Sequence, residues 1–296
     1  MTEVSAVTSA EPKVVDSQVH LWAHDSPSRP WPRTHGRVAE AHLAAAPSAQ
    51  DLLRWMDYAG VDAAVLVPPS WEGDRNDLAI AAAQAWPERF AVMGRIPLAD
   101  PTAWSQLAHW REQPGMLGVR LTLHRSPWRE WLATGRLAGF WVAAARAEIP
   151  VSIYAPAQYA AIGAIAREHP DLRLSVDHLG LPLGCRDTDA IALMEPLVAL
   201  SRYPNIAVKA TAVPCHSSQP PPFPAWHAPL LRLVDAFGAQ RVFWGSDLTR
   251  LPCSYRDCAD LFRRDLNYLS PSDRTWVLGR GIRSWLRWEP TTPQLV

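Results

Sequence analysis

The sequence predicts a single-domain α/β fold, a (β/α)8 TIM barrel, and three observations carry the prediction. Eight short β-branched and apolar runs recur a few tens of residues apart, at 14–20, 63–67, 90–96, 117–121, 151–154, 172–176, 206–209 and 241–244. Helix-like segments lie between them, and strands that alternate with helices build parallel sheet through crossovers. Neither GxGxxG nor GxxxxGK(S/T) occurs in the chain. That counts against the rival open doubly wound sheet, whose first turn usually carries such a phosphate loop. Eight units in about 250 residues is the arithmetic of a closed barrel. The barrel is expected over 14–296, behind a polar, disordered tail at 1–13.

The elements follow in order. The first strand, 14–20, runs into a Pro-rich loop at 21–47. The helix after it is written into its ends: Ser48 and Asp51 make a capping box and Gly60 closes the C-terminus. Its apolar stripe is Leu52, Leu53, Trp55 and Met56, which places Trp55 in the core. Strand 63–67 is followed by a Pro-rich stretch at 68–74, strand 117–121 by one at 123–136, and strand 206–209 by one at 210–224. All four stretches follow strands, on the face where barrel enzymes keep their active sites. Strands 90–96, 151–154, 172–176 and 241–244 complete the set. The last helix opens with Ser270 at the N-cap, Pro271 at the first position and Asp273 at the third, ahead of Trp276, Val277 and Leu278.

Composition narrows the function. The 296 residues carry 29 Lys and Arg against 29 Asp and Glu, and 48% are hydrophobic, so the chain folds and has no basic surplus for a nucleic-acid partner. Its apolar stretches are shorter than the roughly 18 to 20 residues a membrane span needs, and its N-terminus lacks the apolar stretch of a signal peptide. Cys185, Cys215, Cys253 and Cys258 form no CxxC pair and are read as reduced thiols of a cytoplasmic protein. The expected partner is a small-molecule substrate, with no nucleic acid and no membrane, and surface tryptophans among the 15 are compatible with a homodimer.

Chemistry gathers at strand ends. Asp16, Gln18 and His20 alternate along the first strand and are expected on one face, with Ser17 and Val19 on the other. The bland alternative is that Asp16 and His20 satisfy each other or nearby backbone. Val176-Asp177-His178-Leu179-Gly180 puts a histidine where the sixth strand stops, and Phe243-Trp244-Gly245-Ser246-Asp247 delivers a carboxylate after the eighth. In a closed barrel such ends surround one mouth.

The segment Val15-Asp16-Ser17-Gln18-Val19-His20-Leu21-Trp22 resembles the opening signature of the amidohydrolase superfamily, in particular its lactonase-like branch. Gly118-Val119-Arg120-Leu121, Asp177-His178-Leu179-Gly180, Asn205-Ile206-Ala207-Val208-Lys209, Gly245-Ser246-Asp247 and Leu278-Gly279-Arg280-Gly281 extend the likeness in order over about 14–288. The resemblance implies a (β/α)8 barrel and, in most members, a divalent metal on a His-x-His pair of strand one, histidines of strands five and six and an aspartate of strand eight. Here Gln18 stands in place of the first histidine and Tyr154 in place of the one on strand five. An amide oxygen is a poor zinc ligand. The expectation is no obligatory cofactor; if zinc or manganese binds, its ligands are His20, His178 and Asp247. The branch also implies hydrolysis of cyclic esters without metal, with carboxylated substrates held by Arg, Tyr and His.

On that basis Asp247 is the expected base toward water, and His178, with His20, is expected to meet the carbonyl oxygen. Arg120 and Lys209 are candidate anchors for a substrate carboxylate, or else an internal ion pair with Asp16 or Asp177. Gln18 and Tyr154 join them as substrate contacts, and Trp22, Trp31 and Trp71, on loops after strands one and two, could line a flat pocket. His124 with Arg125, and Cys215 with His216, sit on rim loops; adjacency alone does not make Cys215 a nucleophile. His24, His35, His169 and His227 are read as surface or loop residues. The favoured function is hydrolysis of a small carboxylated lactone or related activated carbonyl compound. The alternatives are a metal-dependent decarboxylase of an aromatic or unsaturated acid and a non-catalytic binding barrel.

Overall fold

In the computed structural model, which describes residues 13–34, 37–38 and 40–289, all eight expected strands form. They are β1 (Val15–Val19), β2 (Ala63–Leu66), β3 (Phe90–Gly94), β4 (Met116–Thr122), β5 (Val151–Tyr154), β6 (Leu174–Val176), β7 (Ile206–Thr211) and β8 (Val242–Gly245). Each pairs in parallel with the next, from β1 to β8. Between β8 and β1 the seam closes beyond the ladders. The Asp247 N–H donates to the Gln18 carbonyl at 3.0 Å, and the Asp16 carboxylate accepts from the Ser246 N–H at 2.9 Å and from the Ser246 hydroxyl. The tail expected at 1–13 lies outside the described residues apart from Lys13, as does His35.

Helices α1 (Ala49–Ala59), α2 (Asp77–Ala85), α3 (Ala138–Arg146), α4 (Tyr159–Glu168), α5 (Met194–Val198) and α6 (His227–Phe237) lie in the crossovers, with a 3-10 segment, Pro101–Glu112, between β3 and β4. After β8 come α7 (Tyr255–Asp260) and α8 (Gly281–Leu286). The caps read from the sequence are present: Ser48 and Asp51 bond reciprocally, Gly60 turns at φ 69°, and the Ser270 hydroxyl accepts from the Asp273 N–H. Trp55 corrects the reading of α1. It is 37% exposed, because the buried face is narrow and centred on Leu52, Met56 and Ala59; at 3.6 residues per turn Trp55 falls at its margin. No helix among the described residues is long and apolar enough to cross a membrane.

Alternation along the strands sorts the side chains. Outward residues such as Ala64, Leu66, Val92, Ile153, Val208 and Trp244 pack under the helices, while Val15, Ala63, Val65, Ala91, Ala207 and Phe243 fill the lower barrel, plugged by Ile282, Leu286 and Trp288. β1 breaks the alternation. It pairs with β2 at Val15 with Ala63, Asp16 with Ala64, and then Val19 with Leu66, so it holds one extra residue, a bulge. One extra residue reverses the faces of a strand. The common face expected for Asp16, Gln18 and His20 therefore does not form. Asp16 shares the outward register of Ala64 and accepts from the Tyr255 hydroxyl of α7 at 2.8 Å. Gln18 turns inward to Lys209, and His20, just past the strand, faces the mouth.

Candidate active site

The upper barrel begins with an ion triad. Asp177, directly after β6, holds Arg120 of β4 on one oxygen and Lys209 of β7 on the other, each at 3.1 Å. Arg120 also donates to the Thr122 hydroxyl and Lys209 to Gln18 Oε1. Burial pushes the Asp177 carboxyl up, but Lys209 and Arg120 more than reverse this and leave it below its ordinary value.

Above the triad the strands end abruptly. His178 (φ 53°), Ala212 (φ 59°) and Asp247 (φ 54°) all adopt the left-handed conformation. A non-glycine residue there costs about 1–3 kcal/mol, and such strain gathers at functional sites. The stops leave His178 and Asp247 lining one cavity of about 70 Å³ with His20, Tyr154, Arg120 and Trp71. His42, His124, Leu183 and Arg250 complete much of its wall.

The Thr211 hydroxyl sets the state of His178. Its oxygen accepts from the His178 N–H at 3.1 Å and lies 2.7 Å from Nδ1. The hydroxyl can give its own proton to Nδ1, an arrangement that puts the proton of the neutral ring on Nε2. Burial pushes the His178 pKa down to about 3, so the ring is neutral near pH 7 and offers an N–H donor. Tyr154 stacks edgewise on His178, its centroid 5.3 Å away, and its hydroxyl donates to the Leu181 carbonyl at 3.2 Å. Burial lifts that hydroxyl to about 12.

Asp247 and His20 meet differently. His20 Nδ1 lies 2.6 Å from the Val67 carbonyl, which can only accept, so Nδ1 carries a proton and directs Nε2 at the mouth. Nε2 is 3.0 Å from Asp247 Oδ1, yet Oδ1 has no aligned hydrogen-bond donor among the described residues. Arg250 Nη1 lies 3.4 Å from Oδ2. Burial pushes the Asp247 carboxyl up, and its neighbours His20, His178 and Arg250 override this and hold it well below the carboxylate range.

His42 comes from the loop after β1. Its ring stands 4.6 Å from Trp71 and 5.5 Å from His20 between centroids, and its Nδ1 bonds the Thr249 hydroxyl at 2.9 Å, which leaves Nε2 for the mouth. Burial pushes its pKa down to about 3. Ligand atoms of His20, His42 and Asp247 all lie within 4.8 Å of one another. Two imidazoles and a carboxylate, one carboxylate oxygen without a hydrogen bond and both outer imidazole nitrogens anchored, fit a divalent ion with an open position.

Of the residues expected from sequence, His20, Arg120, Tyr154, His178, Asp247 and Trp71 line the cavity. Lys209 and Gln18 lie in the triad layer; Arg120 and Lys209 both pair with Asp177, and of the two only Arg120 also lines the cavity. Trp22 and Trp31 pack behind Trp71 and do not line the cavity. Cys215 donates to the Arg250 carbonyl at 3.3 Å, and burial pushes its thiol to about 11, which disarms it as a nucleophile. His24, His169 and His227 are not in the lining. Sequence reading missed His42 and Arg250. Arg250 lies three residues beyond Asp247, a signal of sorts; for His42 the signal was the vacancy at Gln18, which invites a search of the rim loops for another imidazole.

The profile of the Amidohydrolase family matches residues 15–287. An L-fucono-1,5-lactonase of Burkholderia ambifaria is 25% identical over 284 residues, covering 90% of this chain and 92% of that protein. The crystal structure of an amidohydrolase from Burkholderia multivorans with bound zinc superimposes with a TM-score of 0.76 at 21% identity, over 93% of this chain and 99% of that one. A probable 2-pyrone-4,6-dicarboxylic acid hydrolase from Acinetobacter baumannii, with citric acid bound, gives 0.71 at 16% identity over the same shares.

Proposed function

The chain is an enzyme of the amidohydrolase family, and from that premise we propose that it hydrolyses a small lactone, or a related activated carbonyl compound, that carries a carboxylate. One observation carries the reading: the Asp247 carboxylate and the neutral His178 ring line the same cavity. Asp247 takes a proton from water as the water attacks the lactone carbonyl. The charge that develops on the carbonyl oxygen is met by His178 Nε2–H. As the ring C–O bond breaks, the protonated Asp247 returns its proton to the leaving alkoxide, and a hydroxy acid results. A carboxylate held so far below its ordinary pKa is a weak base, which suits a lactone and not an amide with its poorer leaving group.

The substrate carboxylate is assigned to Arg120, which lines the cavity, rather than to Lys209, which does not. Each step has a side chain to perform it, so no metal is obligatory in this reading. A divalent ion held by His20, His42 and Asp247 would supply a Lewis acid and a more acidic water at the same place. The B. ambifaria lactonase, though only 25% identical, supports the substrate class.

The His20–His42–Asp247 donor set favours one second reading, metal-dependent decarboxylation of an aromatic or unsaturated acid. Purified enzyme offered a panel of sugar-acid and other carboxylated lactones, with ring opening followed by acid release, tests the first. Carbon dioxide from aromatic acids with no lactone opening would replace it by the second, and no turnover of either panel would leave a binding barrel.

A further inference from the structure

We propose that His20, His42 and Asp247 bind one divalent transition-metal ion of the zinc class, with the loop residue His42 as a ligand in place of the imidazole that β1 lacks at Gln18. The proposal deepens the hydrolytic reading of the same site; it rests on that reading for the ion's use but not for its binding.

Three observations point to an ion. First, His20 Nε2 and Asp247 Oδ1 are 3.0 Å apart without a hydrogen bond on that oxygen. The His20 Nδ1 proton is committed to the Val67 carbonyl at 2.6 Å, which leaves Nε2 as the ring's ligand atom beside the carboxylate. Around an ion with bonds of about 2.0–2.1 Å, tetrahedral neighbours sit about 3.3 Å apart, close to the 3.0 Å between His20 Nε2 and Asp247 Oδ1. Second, His42 brings a third ligand atom within 4.8 Å of both, and among the described residues no other such trio is found. Third, both imidazoles are oriented from behind, His20 by the Val67 carbonyl and His42 by the Thr249 hydroxyl at 2.9 Å, as metal-bound histidines are.

Donor chemistry selects the ion. Two imidazoles and one carboxylate suit zinc, cobalt or manganese rather than calcium or magnesium, which take oxygen ligands. His178 is not part of the set, because its Nδ1 is tied to Thr211 and the converging ligand atoms are those of His20, His42 and Asp247. Gln18 is excluded too, since its oxygen accepts from Lys209 in the layer below.

Protein stripped by a chelator and titrated with Zn²⁺ by calorimetry, and with Co²⁺ by visible absorption, tests the proposal. One equivalent should bind, and Co²⁺ should give the intense bands of a low-coordinate site with nitrogen ligands. His42→Ala should weaken binding by a hundredfold or more, and Thr249→Val by about tenfold, each with an unchanged circular dichroism spectrum. Gln18→Ala and His178→Ala should leave the metal affinity within a few-fold. No binding to stripped protein, binding unmoved by either His42→Ala or Thr249→Val, or binding lost on His178→Ala would overturn it. Lactone turnover is scored separately. Binding that depends on His42 in a protein that opens no lactone sinks the hydrolytic reading alone, and lactone opening by a protein that takes up no ion sinks the metal site alone.

Discussion

The upper barrel holds two polar layers, one on the other, built to different rules. In the lower, Asp177 has a cation 3.1 Å from each oxygen, Arg120 bonds Thr122 as well, and Lys209 bonds Gln18; Gln18 Nε2 has no hydrogen bond among the described residues, and Asp177 Oδ1 has the Lys209 ammonium beside it without one. In the upper, Asp247 Oδ1 and both nitrogens of His124 lack hydrogen bonds among the described residues, and the backbone at His178 and Asp247 is left-handed. A buried polar group without a partner costs roughly 1–3 kcal/mol, and Asp247 and His124, which carry three such atoms, line one cavity. The difference teaches how to divide the charged residues inside a barrel: the paired layer holds the strands together, and the unpaired one is set for a ligand.

That division can be broken experimentally. The largest effect is expected at Asp247→Asn, which should cut kcat by about 10² to 10⁴, with little change in KM or in stability, read from steady-state kinetics and urea denaturation. Normal turnover would take the mouth out of the chemistry. Asp177→Asn should do the opposite. Removing one member of a buried ion cluster costs about 3–5 kcal/mol, visible as an earlier urea midpoint; unaltered stability with activity lost would move the triad into the active layer.

Thr211→Val tests the join between the layers. It frees the His178 ring to place its proton on Nδ1, so kcat should fall by about tenfold or more while KM holds, and Thr211→Ser should restore it. The smallest effect concerns pH. The folded pKa of His178, about 3, lies below the usual 6.5, so its share of stability is complete above pH 6.5 and is lost as pH falls from there toward 3. The slope is at most about 1.4 kcal/mol per pH unit, and His178→Asn should flatten the urea midpoint against pH by that amount.

The paired layer and the mouth were not equally legible in the sequence. Strands announce themselves locally, through β-branched runs and caps such as Ser48 with Asp51, and His178 and Asp247 could be placed because each directly follows such a run. What depended on a distant partner could not be read. The β1 bulge appears only against β2, and it sends Asp16 outward to Tyr255, away from Gln18 and His20. That Arg120 and Lys209 share Asp177, with only Arg120 reaching the cavity, needed Asp177 in place between them. His42 reaches the mouth across a long loop whose course no periodicity records.

The small cavity sets the terms on which a substrate enters. At about 70 Å³ it holds around two waters, whereas a cavity near 150 Å³ is what a benzene ring takes. A lactone ring exceeds this volume, so seating it wholly inside would require His42, Trp71 or Leu183 to withdraw. The loop bearing His42 is latched through Arg29, which holds Glu72 at 2.8 Å and grips Asp77 with two further bonds. If only a fraction of molecules is unlatched at any moment, apparent affinity is the intrinsic affinity reduced by that fraction. Weak apparent binding of a good substrate would then measure the rarity of the open form and not poor contacts, and loosening Arg29 would tighten apparent binding without adding a single interaction to the substrate.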